Sequence, residues 1–417
     1  MSKRPRKVHA RPLPVAEASA DASAAVTLPT LFWIFFRIAC TSFGGFMAII
    51  SVVQNVIVER RKLLPHAEML DGVSLATLLP GPTAVNVVAY VGYRLRGGCG
   101  ALVSVCGAVI PPFTLIMVLS VAYFQWGDIP AVGSVFKGFV PAVTAIILAA
   151  AWNMGRKSVT GVREGILTAI AAAILLGVGG FFSTLGIIVG AGVIGWWWFR
   201  DQAVAAPKVT PKSAPKTKTT TAAKPSLHQF VFDISPLAIA LGTTDPVLLL
   251  KLLGVFSGMS LMLFGGGYVF IPLIGEVVVK GHGWLTQREF IDGVALGQIM
   301  PGPILVSAAF IGYKVAGVAG AAMATLGMFG PPALLMVAST RLLERLKGSK
   351  ATQAVLRGVR PAVIGMILAA VVIVGKNAAP VWWSAAIFIV ALVALLRFRV
   401  EAVWIIPPAG VIGFLVY

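Results

Sequence analysis

The chain has 417 residues, 58% of them hydrophobic and only 12% charged, with a formal net charge of +19. A soluble domain carries about a quarter of its residues as charges, so the composition excludes a water-soluble globular protein and points to a polytopic membrane protein. Eleven of the 34 basic residues fall in Lys3–Arg11 or Arg200–Lys224 and most others flank apolar runs; cytoplasmic loops of an inner membrane read this way, and no nucleic-acid partner is expected.

In chain order, residues 1–29 are a basic stretch and an Ala/Ser-rich segment with no small-residue cleavage site, a cytoplasmic tail rather than a removed signal. A first half, 30–200, carries apolar segments at 31–58, 68–96, 99–124, 133–155, 165–181 and 183–199. Residues 201–247 read as a linker: its part rich in Lys, Thr, Ala and Pro is expected to be disordered, and 227–242 is the candidate for an extra crossing. The second half, 248–417, has apolar segments at 248–279, 289–315, 316–339, 352–375, 381–397 and 402–417. The runs 99–124, 166–199 and 361–375 contain no Lys, Arg or Glu, and no alternating strand pattern appears, so helices and not a barrel are expected to cross the membrane.

The two halves are one module written twice. A shift of 221 positions superimposes Phe43-Gly44-Gly45 on Phe264-Gly265-Gly266, Glu68 and Asp71 on Glu289 and Asp292, and Pro80-Gly81-Pro82 on Pro301-Gly302-Pro303. After one deletion, a shift of 220 pairs Gly92-Tyr93 with Gly312-Tyr313, Pro111-Pro112 with Pro331-Pro332, and Lys137-Gly138 with Arg357-Gly358. The first two segments of each half are longer than a straight span needs and are broken near their middle by Gly or Pro. Giving both halves one orientation would put the cation-rich loop Arg341–Lys350 outside, against the positive-inside rule, whereas inverting the second half repairs this. The expected fold class is therefore an all-α polytopic membrane protein with two homologous halves of inverted topology and discontinuous, re-entrant helices. That is the sequence signature of a secondary transporter whose substrate binds near the midplane.

The breaks suggest the chemistry. Proline lacks an N–H and suits the first position of a helix, so Pro82 and Pro303 read as helix starts whose following amides, Thr83 to Asn86 and Ile304 to Ser307, face the break. Helix N-termini carry about half a positive charge and unpaired donors, which suits an oxyanion. Gly44, Gly45, Gly265 and Gly266 free backbone groups likewise, so four breaks could together replace the hydration shell of a tetrahedral dianion. Asn86 and Ser307 after the breaks, and Thr77 and Gln298 before them, could hydrogen-bond ligand oxygens, although such residues in membranes often only tie helices together. Arg37, Lys137 and Arg357 are candidate cations along an anion path, though a cation near a helix end can simply snorkel. Glu68, Asp71, Glu276, Glu289 and Asp292 are candidates for proton coupling, with an interfacial role at helix N-termini as the blander reading of the duplicated acids.

Other classes lack their residues. No GxxxxGK[ST] loop, HExxH pair or GxSxG elbow occurs, and the three cysteines show no CxxC spacing, so neither an enzyme, a metal site nor a cofactor is expected. Gly186-x-x-x-Gly190 could pack helices within or between subunits, which leaves a homodimer open.

The twice-repeated order of Phe-Gly-Gly, Glu-x-x-Asp, Pro-Gly-Pro, Gly-Tyr and Lys/Arg-Gly-x-x-Pro-Ala-Val resembles the long-chain, two-domain members of the chromate ion transporter (CHR) family, over 31–157 and 252–376. The resemblance implies export of chromate from the cytoplasm, chromate resistance, sulfate as the related oxyanion, and opposite halves with an odd number of crossings. It also implies that Gln298 is the residue favoured before the break, a place Thr77 takes in the first half. Sulfate or other oxyanion transport by the same architecture, or an anion channel, fits the residues as well.

Overall fold

The computed structural model describes residues 26–42, 46–126, 129–179, 181–200, 245–263, 270–340, 350–376 and 378–417, and the regular structure among them is helical, with no strand. The first half contains α1 (Leu28–Thr41), α2 (Phe46–Gln54, ending in a π-helical turn Asn55–Arg60), α3 (His66–Leu78), α4 (Thr83–Trp126), α5 (Pro130–Ser158), α6 (Val162–Gly177) and α7 (Phe181–Phe199). The second repeats the series: α8 (Pro246–Leu261), α9 (Phe270–Ile274, with a π-helical turn Gly275–Gly281), α10 (Gln287–Ile299), α11 (Ser307–Thr340), α12 (Lys350–Gly375), α13 (Trp382–Arg397) and α14 (Ile406–Val416). The tail before residue 26, the 227–242 segment, the loop cations Arg341, Arg345 and Lys347, and Gly44, Gly45, Gly265 and Gly266 lie outside the described residues.

The repeat extends to backbone torsions. Gly81 and Gly302 take φ of +106° and +107°, and Gly97 and Gly317 take +62° and +60°. The second pair of glycines, each after a residue of extended φ (Arg96, Ala316), turns α4 and α11 into helical hairpins. In each, two glycines meet back to back, Gly92 against Gly100 and Gly312 against Gly320, at a distance no side chain would permit. The expected segments 68–96 and 99–124 are thus half-helix, break and hairpin rather than two separate elements.

The halves are interlocked. Helices α6 and α7 of the first half pack on α12 of the second, while α13 and α14 pack on α5. Small residues make both contacts: Gly195 comes within 2.6 Å of the Gly358 Cα, measured from where a Cβ would sit, and Gly413 within 2.8 Å of the Gly138 Cα. The equivalent helices α5 and α12 touch directly. Gly155 meets Ile364 (3.8 Å) and Gly375 meets Thr144 (3.5 Å), so one helix ascends as the other descends.

Among the described residues five helical stretches are long and apolar enough to cross a membrane: Val132–Arg156, Phe182–Phe199, Ala351–Gly375 and the two hairpins within Thr83–Trp126 and Ile304–Thr340. Exposed Ile166, Ile170 and Ile174 line one face of α6, and exposed Trp196, Trp197, Trp382 and Trp383 sit near helix ends. This is the arrangement of lipid-facing aliphatics with interfacial aromatic anchors.

Candidate functional site

Helix α3 stops where Leu79 turns extended (φ −83°, ψ 150°), and α10 stops at Met300 with nearly the same torsions (φ −82°, ψ 148°). Two prolines in each break remove donors that would continue the helix, and the glycine between them takes the left-handed turn. Each break is then fastened by the opposite half. The Gly81 N–H donates to the Leu263 carbonyl (2.6 Å) and the Gly302 N–H to the Ser42 carbonyl (2.9 Å). Pro332 lies on Gly81 and Pro112 on Gly302. Positions related by 220 or 221 residues thus exchange identical contacts, as across a two-fold axis.

Around the breaks the chain is sealed: Gly81 to Tyr90 and Gly302 to Gly312 are buried throughout. A small cavity brings Ala84 and Val85, in the first turn of α4, against Gly302 and Pro303 of the other break, with Phe35 and Ile38 of α1 as further walls. Two expectations about the amides change. The Asn86 N–H is already bonded to the Pro82 carbonyl (2.9 Å), and the Val306 N–H to that of Pro303 (3.0 Å). Both prolines therefore act as N-caps one position before the helix, and the amides left over are those of Thr83, Ala84 and Val85 and of Ile304 and Leu305. The carbonyls of both prolines already accept helical bonds, and Pro303 does so from an extended ψ of 125°.

The polar residues at the breaks are engaged unequally. Asn86, fully buried, donates Nδ2–H to the Pro80 carbonyl (3.1 Å), leaving Oδ1 without a partner. Ser307 donates to the Ile304 carbonyl (3.0 Å) and fills the notch over Gly297. Gln298 is buried with Nε2 unpartnered, and so is the Ser42 hydroxyl. Thr77 donates to the Ser74 carbonyl (2.7 Å).

The candidate cations do not gather here. Arg37 and Lys137 are exposed. Gly133, one turn before Lys137, lies against Arg288 in the first turn of α10, so Lys137 is level with the start of that half-helix and not with the break at its end. Arg357 is engaged elsewhere. Its Nε–H donates to buried Glu164 (3.2 Å) and its guanidinium lies over Phe199 (4.6 Å), tying α12 to α6 and α7. Sequence reasoning missed Glu164, which sits at the start of α6 and pairs across 193 residues.

Four of the five candidate acids have described partners. Glu68 pairs with Arg94 and Glu289 with Lys314 (2.9 Å), again related by the repeat. Glu289 also closes a capping box with Thr286 at the start of α10. Glu276 pairs with Lys280 (2.7 Å). Asp292, 1% exposed, accepts from the Tyr123 hydroxyl across the halves (2.7 Å), with Arg288 farther away at 3.8 Å. In the loop before α10, burial and then Lys251 hold the His282 pKa below its ordinary value, so that ring is neutral near pH 7. Among the described residues no three His, Cys, Asp or Glu side chains come together as a metal site.

Comparison with known proteins gives one family. The chromate transporter family matches residues 29–196 and 250–414, one copy per half. The chain is 29% identical to a chromate transport protein of Cupriavidus metallidurans over 404 residues, 96% of each chain. It is 30% identical to a probable chromate transport protein of Synechococcus elongatus, covering 85% of this chain and 86% of the other. A chromate transport protein of Pseudomonas aeruginosa is 27% identical across 98% of this chain and 97% of its own. No solved structure gives a significant match.

Proposed function

The chain belongs to the chromate transporter family, and from that premise we propose that it carries chromate out of the cytoplasm across the inner membrane by alternating access of its two halves, and so confers chromate resistance. The observation that carries this reading is the reciprocal fastening of the breaks, Gly81 on Leu263 and Gly302 on Ser42. Half-helices held at their breaks by equivalent contacts are closed there alike toward both sides, a midpoint from which either half can tilt, as rocking about a fixed site requires. The antiparallel contact of α5 with α12 supports opposite orientation of the halves, because both are apolar enough to span.

In this reading the site lies between the breaks, with the amides after Pro82 and Pro303 as donors. Arg37, Lys137 and Arg357 act, in this reading, at the approaches or in packing rather than as ligands. The energetics permit efflux: with the interior negative, each outward-moving negative charge gains about 2.3 kcal/mol per 100 mV, and a dianion roughly twice that.

The test is chromate uptake into everted membrane vesicles, with the potential imposed or collapsed and with excess cold sulfate. Saturable uptake that grows with an inside-positive potential supports export; linear, unsaturable flux would make the protein a channel. Complete suppression by sulfate with no chromate preference would make it a general oxyanion carrier.

A further inference from the structure

Among the Lys and Arg side chains described, only Arg357 and Arg360 are not exposed. Arg357 is neutralised by Glu164. Arg360 has no such partner: among the described residues no hydrogen bond, ion pair or ring contact reaches its guanidinium. It sits inside the membrane-crossing stretch Ala351–Gly375, where a half-buried charge without a counter-ion is costly and marks function. The repeat gives the direction in which it faces. Its counterpart is Val140, and the counterpart of Leu356, one turn earlier, is Phe136. Phe136 meets the ring of Tyr123 at 5.0 Å and Tyr123 bonds Asp292, so that face of α5 looks onto half-helix α10. By the same relation Arg360 looks toward α3, the half-helix that leads into the first break. The two approaches are covered differently. Helix α10 packs on α5 and Val140 is buried, whereas among the described residues the equivalent packing of α3 on α12 is not formed. Depth follows as well. Gly133 lies against Arg288 in the first turn of α10, so its counterpart Gln353 is level with the first turn of α3. Arg360 is then about 10 Å farther in, and about 9 Å short of the level of Pro80.

We propose that Arg360 binds the tetrahedral dianion on the cytoplasmic approach to the first break, one step ahead of the site between the breaks. This rests on the proposed transport reading and supplies the charge partner that Arg37, Lys137 and Arg357 do not provide. A guanidinium presents paired N–H donors that match two oxygens of one oxyanion. The anion completes the cation, and the cation offsets hydration that the anion loses on entering, so each lowers the cost of burying the other. Because Val140 stands at the equivalent place on the other approach, capture is one-sided. The cytoplasmic face takes up the anion at lower concentration than the outer face. Direction of net flux is still set by the gradient and the potential. An arginine that only snorkels toward the headgroups would have none of these effects.

The experiment uses the full chain. Chromate uptake into everted vesicles gives KM and maximal rate at the cytoplasmic face, and equilibrium dialysis of the detergent-purified protein gives Kd. Arg360→Gln should raise KM and Kd about tenfold or more, because hydrogen bonds between two charged groups are lost. The maximal rate should change less, and the melting temperature should hold or rise. Arg360→Lys keeps the charge but not the fork and should raise both constants about threefold. Arg156→Gln removes an exposed cation at the end of α5 and should leave both within about twofold, since water and salt screen it. In a background without Cys40, Cys99 and Cys106, Arg360→Cys should lose affinity likewise. Reaction with a cationic methanethiosulfonate should restore part of it, a neutral reagent of the same size none, and saturating chromate should slow the reaction. Unchanged KM and Kd in Arg360→Gln, with or without a lowered melting temperature, overturn the inference and leave the transport reading intact. If Arg360→Gln does not fold, unchanged affinity in Arg360→Lys, or equal recovery with both thiol reagents, overturns it instead. A Kd that depends on Arg360 in a protein with no uptake overturns the transport reading alone. Wild type that neither binds nor moves chromate overturns both.

Discussion

Gly81 donates its backbone N–H to the carbonyl of Leu263 at 2.6 Å, so the left-handed turn in one half is closed by the chain of the other. The counterpart, Gly302 to Ser42 at 2.9 Å, repeats this about the same pseudo-axis. Pro332 and Pro112 press on these two glycines, leaving no space for a side chain at either.

Gly81→Ala and Gly302→Ala should therefore both destabilise the protein, each by about 2 kcal/mol from positive φ and overlap combined. Gly81 should suffer more. Its added methyl would overlap the Pro332 ring, whereas at Gly302 the nearest Pro112 atom is 2.9 Å away and a small shift relieves it. Thermal melting in detergent checks the order.

The ion pair of Glu289 with Lys314 closes the start of half-helix α10 onto α11 and repeats Glu68 with Arg94. If these acids only fasten the half-helices, Glu289→Gln should cost about 1 kcal/mol through the lost cap and pair and leave the pH profile of transport unmoved. The double exchange Glu289→Lys with Lys314→Glu should recover part of the loss but not the cap. A flattened pH profile in Glu289→Gln would instead return this residue to proton coupling.

Much of this was legible in the chain because the duplication repeats the local causes of structure. Pro-Gly-Pro fixes an extended turn wherever it occurs, and it marked both breaks. The hairpin bend at Gly97 was not foreseen, although it falls in the gap between the expected segments 68–96 and 99–124. Three-dimensional pairing was not legible. Nothing local says that Arg357 meets Glu164 across 193 residues, so a cation that looked free for an anion is neutralised. Nor does local sequence say that α6 and α7 leave their own half to pack on α12. Ser42 escaped notice because its partner in the repeat is Leu263, and a search for duplicated polar residues passes over one that occurs once.

Arg357→Ala should act on folding and not on affinity. It removes the partner of Glu164, 4% exposed in its side chain, and leaves a carboxylate buried without its cation. Breaking a fully buried pair costs about 3–5 kcal/mol; with the Arg357 side chain 34% exposed, water screens part of that. Chromate Kd should stay within about twofold while the melting temperature falls, and Glu164→Gln should lower it less. A Kd raised tenfold with stability preserved would instead place Arg357 on the anion path.

The antiparallel contact of α5 with α12 can be read directly. In a background with Cys40, Cys99 and Cys106 replaced, the pairs Thr144→Cys with Gly375→Cys and Gly155→Cys with Ile364→Cys should both cross-link. The parallel pairings, Thr144→Cys with Ile364→Cys and Gly155→Cys with Gly375→Cys, should not. The two productive pairs lie 11 residues apart on each helix, about 16 Å, so both can form only if the equivalent helices run in opposite directions. Cross-linking of the parallel pairs would remove the main structural support for inverted halves.

If transport is coupled to protons, buried Asp292 is a candidate to exchange one. Glu68, Glu276 and Glu289 each face a Lys or Arg. The principal partner of Asp292 is neutral, the Tyr123 hydroxyl at 2.7 Å, and that hydroxyl comes from the other half. Any rocking of the halves that separates the two withdraws the donor from a buried carboxylate, and a carboxylate so deprived takes up a proton. Asp292→Asn mimics the protonated form and still accepts from Tyr123, so it should fold normally while making chromate flux insensitive to pH. Tyr123→Phe removes the donor in every state, favouring the protonated carboxyl, and should displace the pH dependence toward higher pH without abolishing it. Flux in Asp292→Asn vesicles that keeps the wild-type pH profile would exclude this residue as the coupling site, leaving the bond to Tyr123 as a fastening between halves.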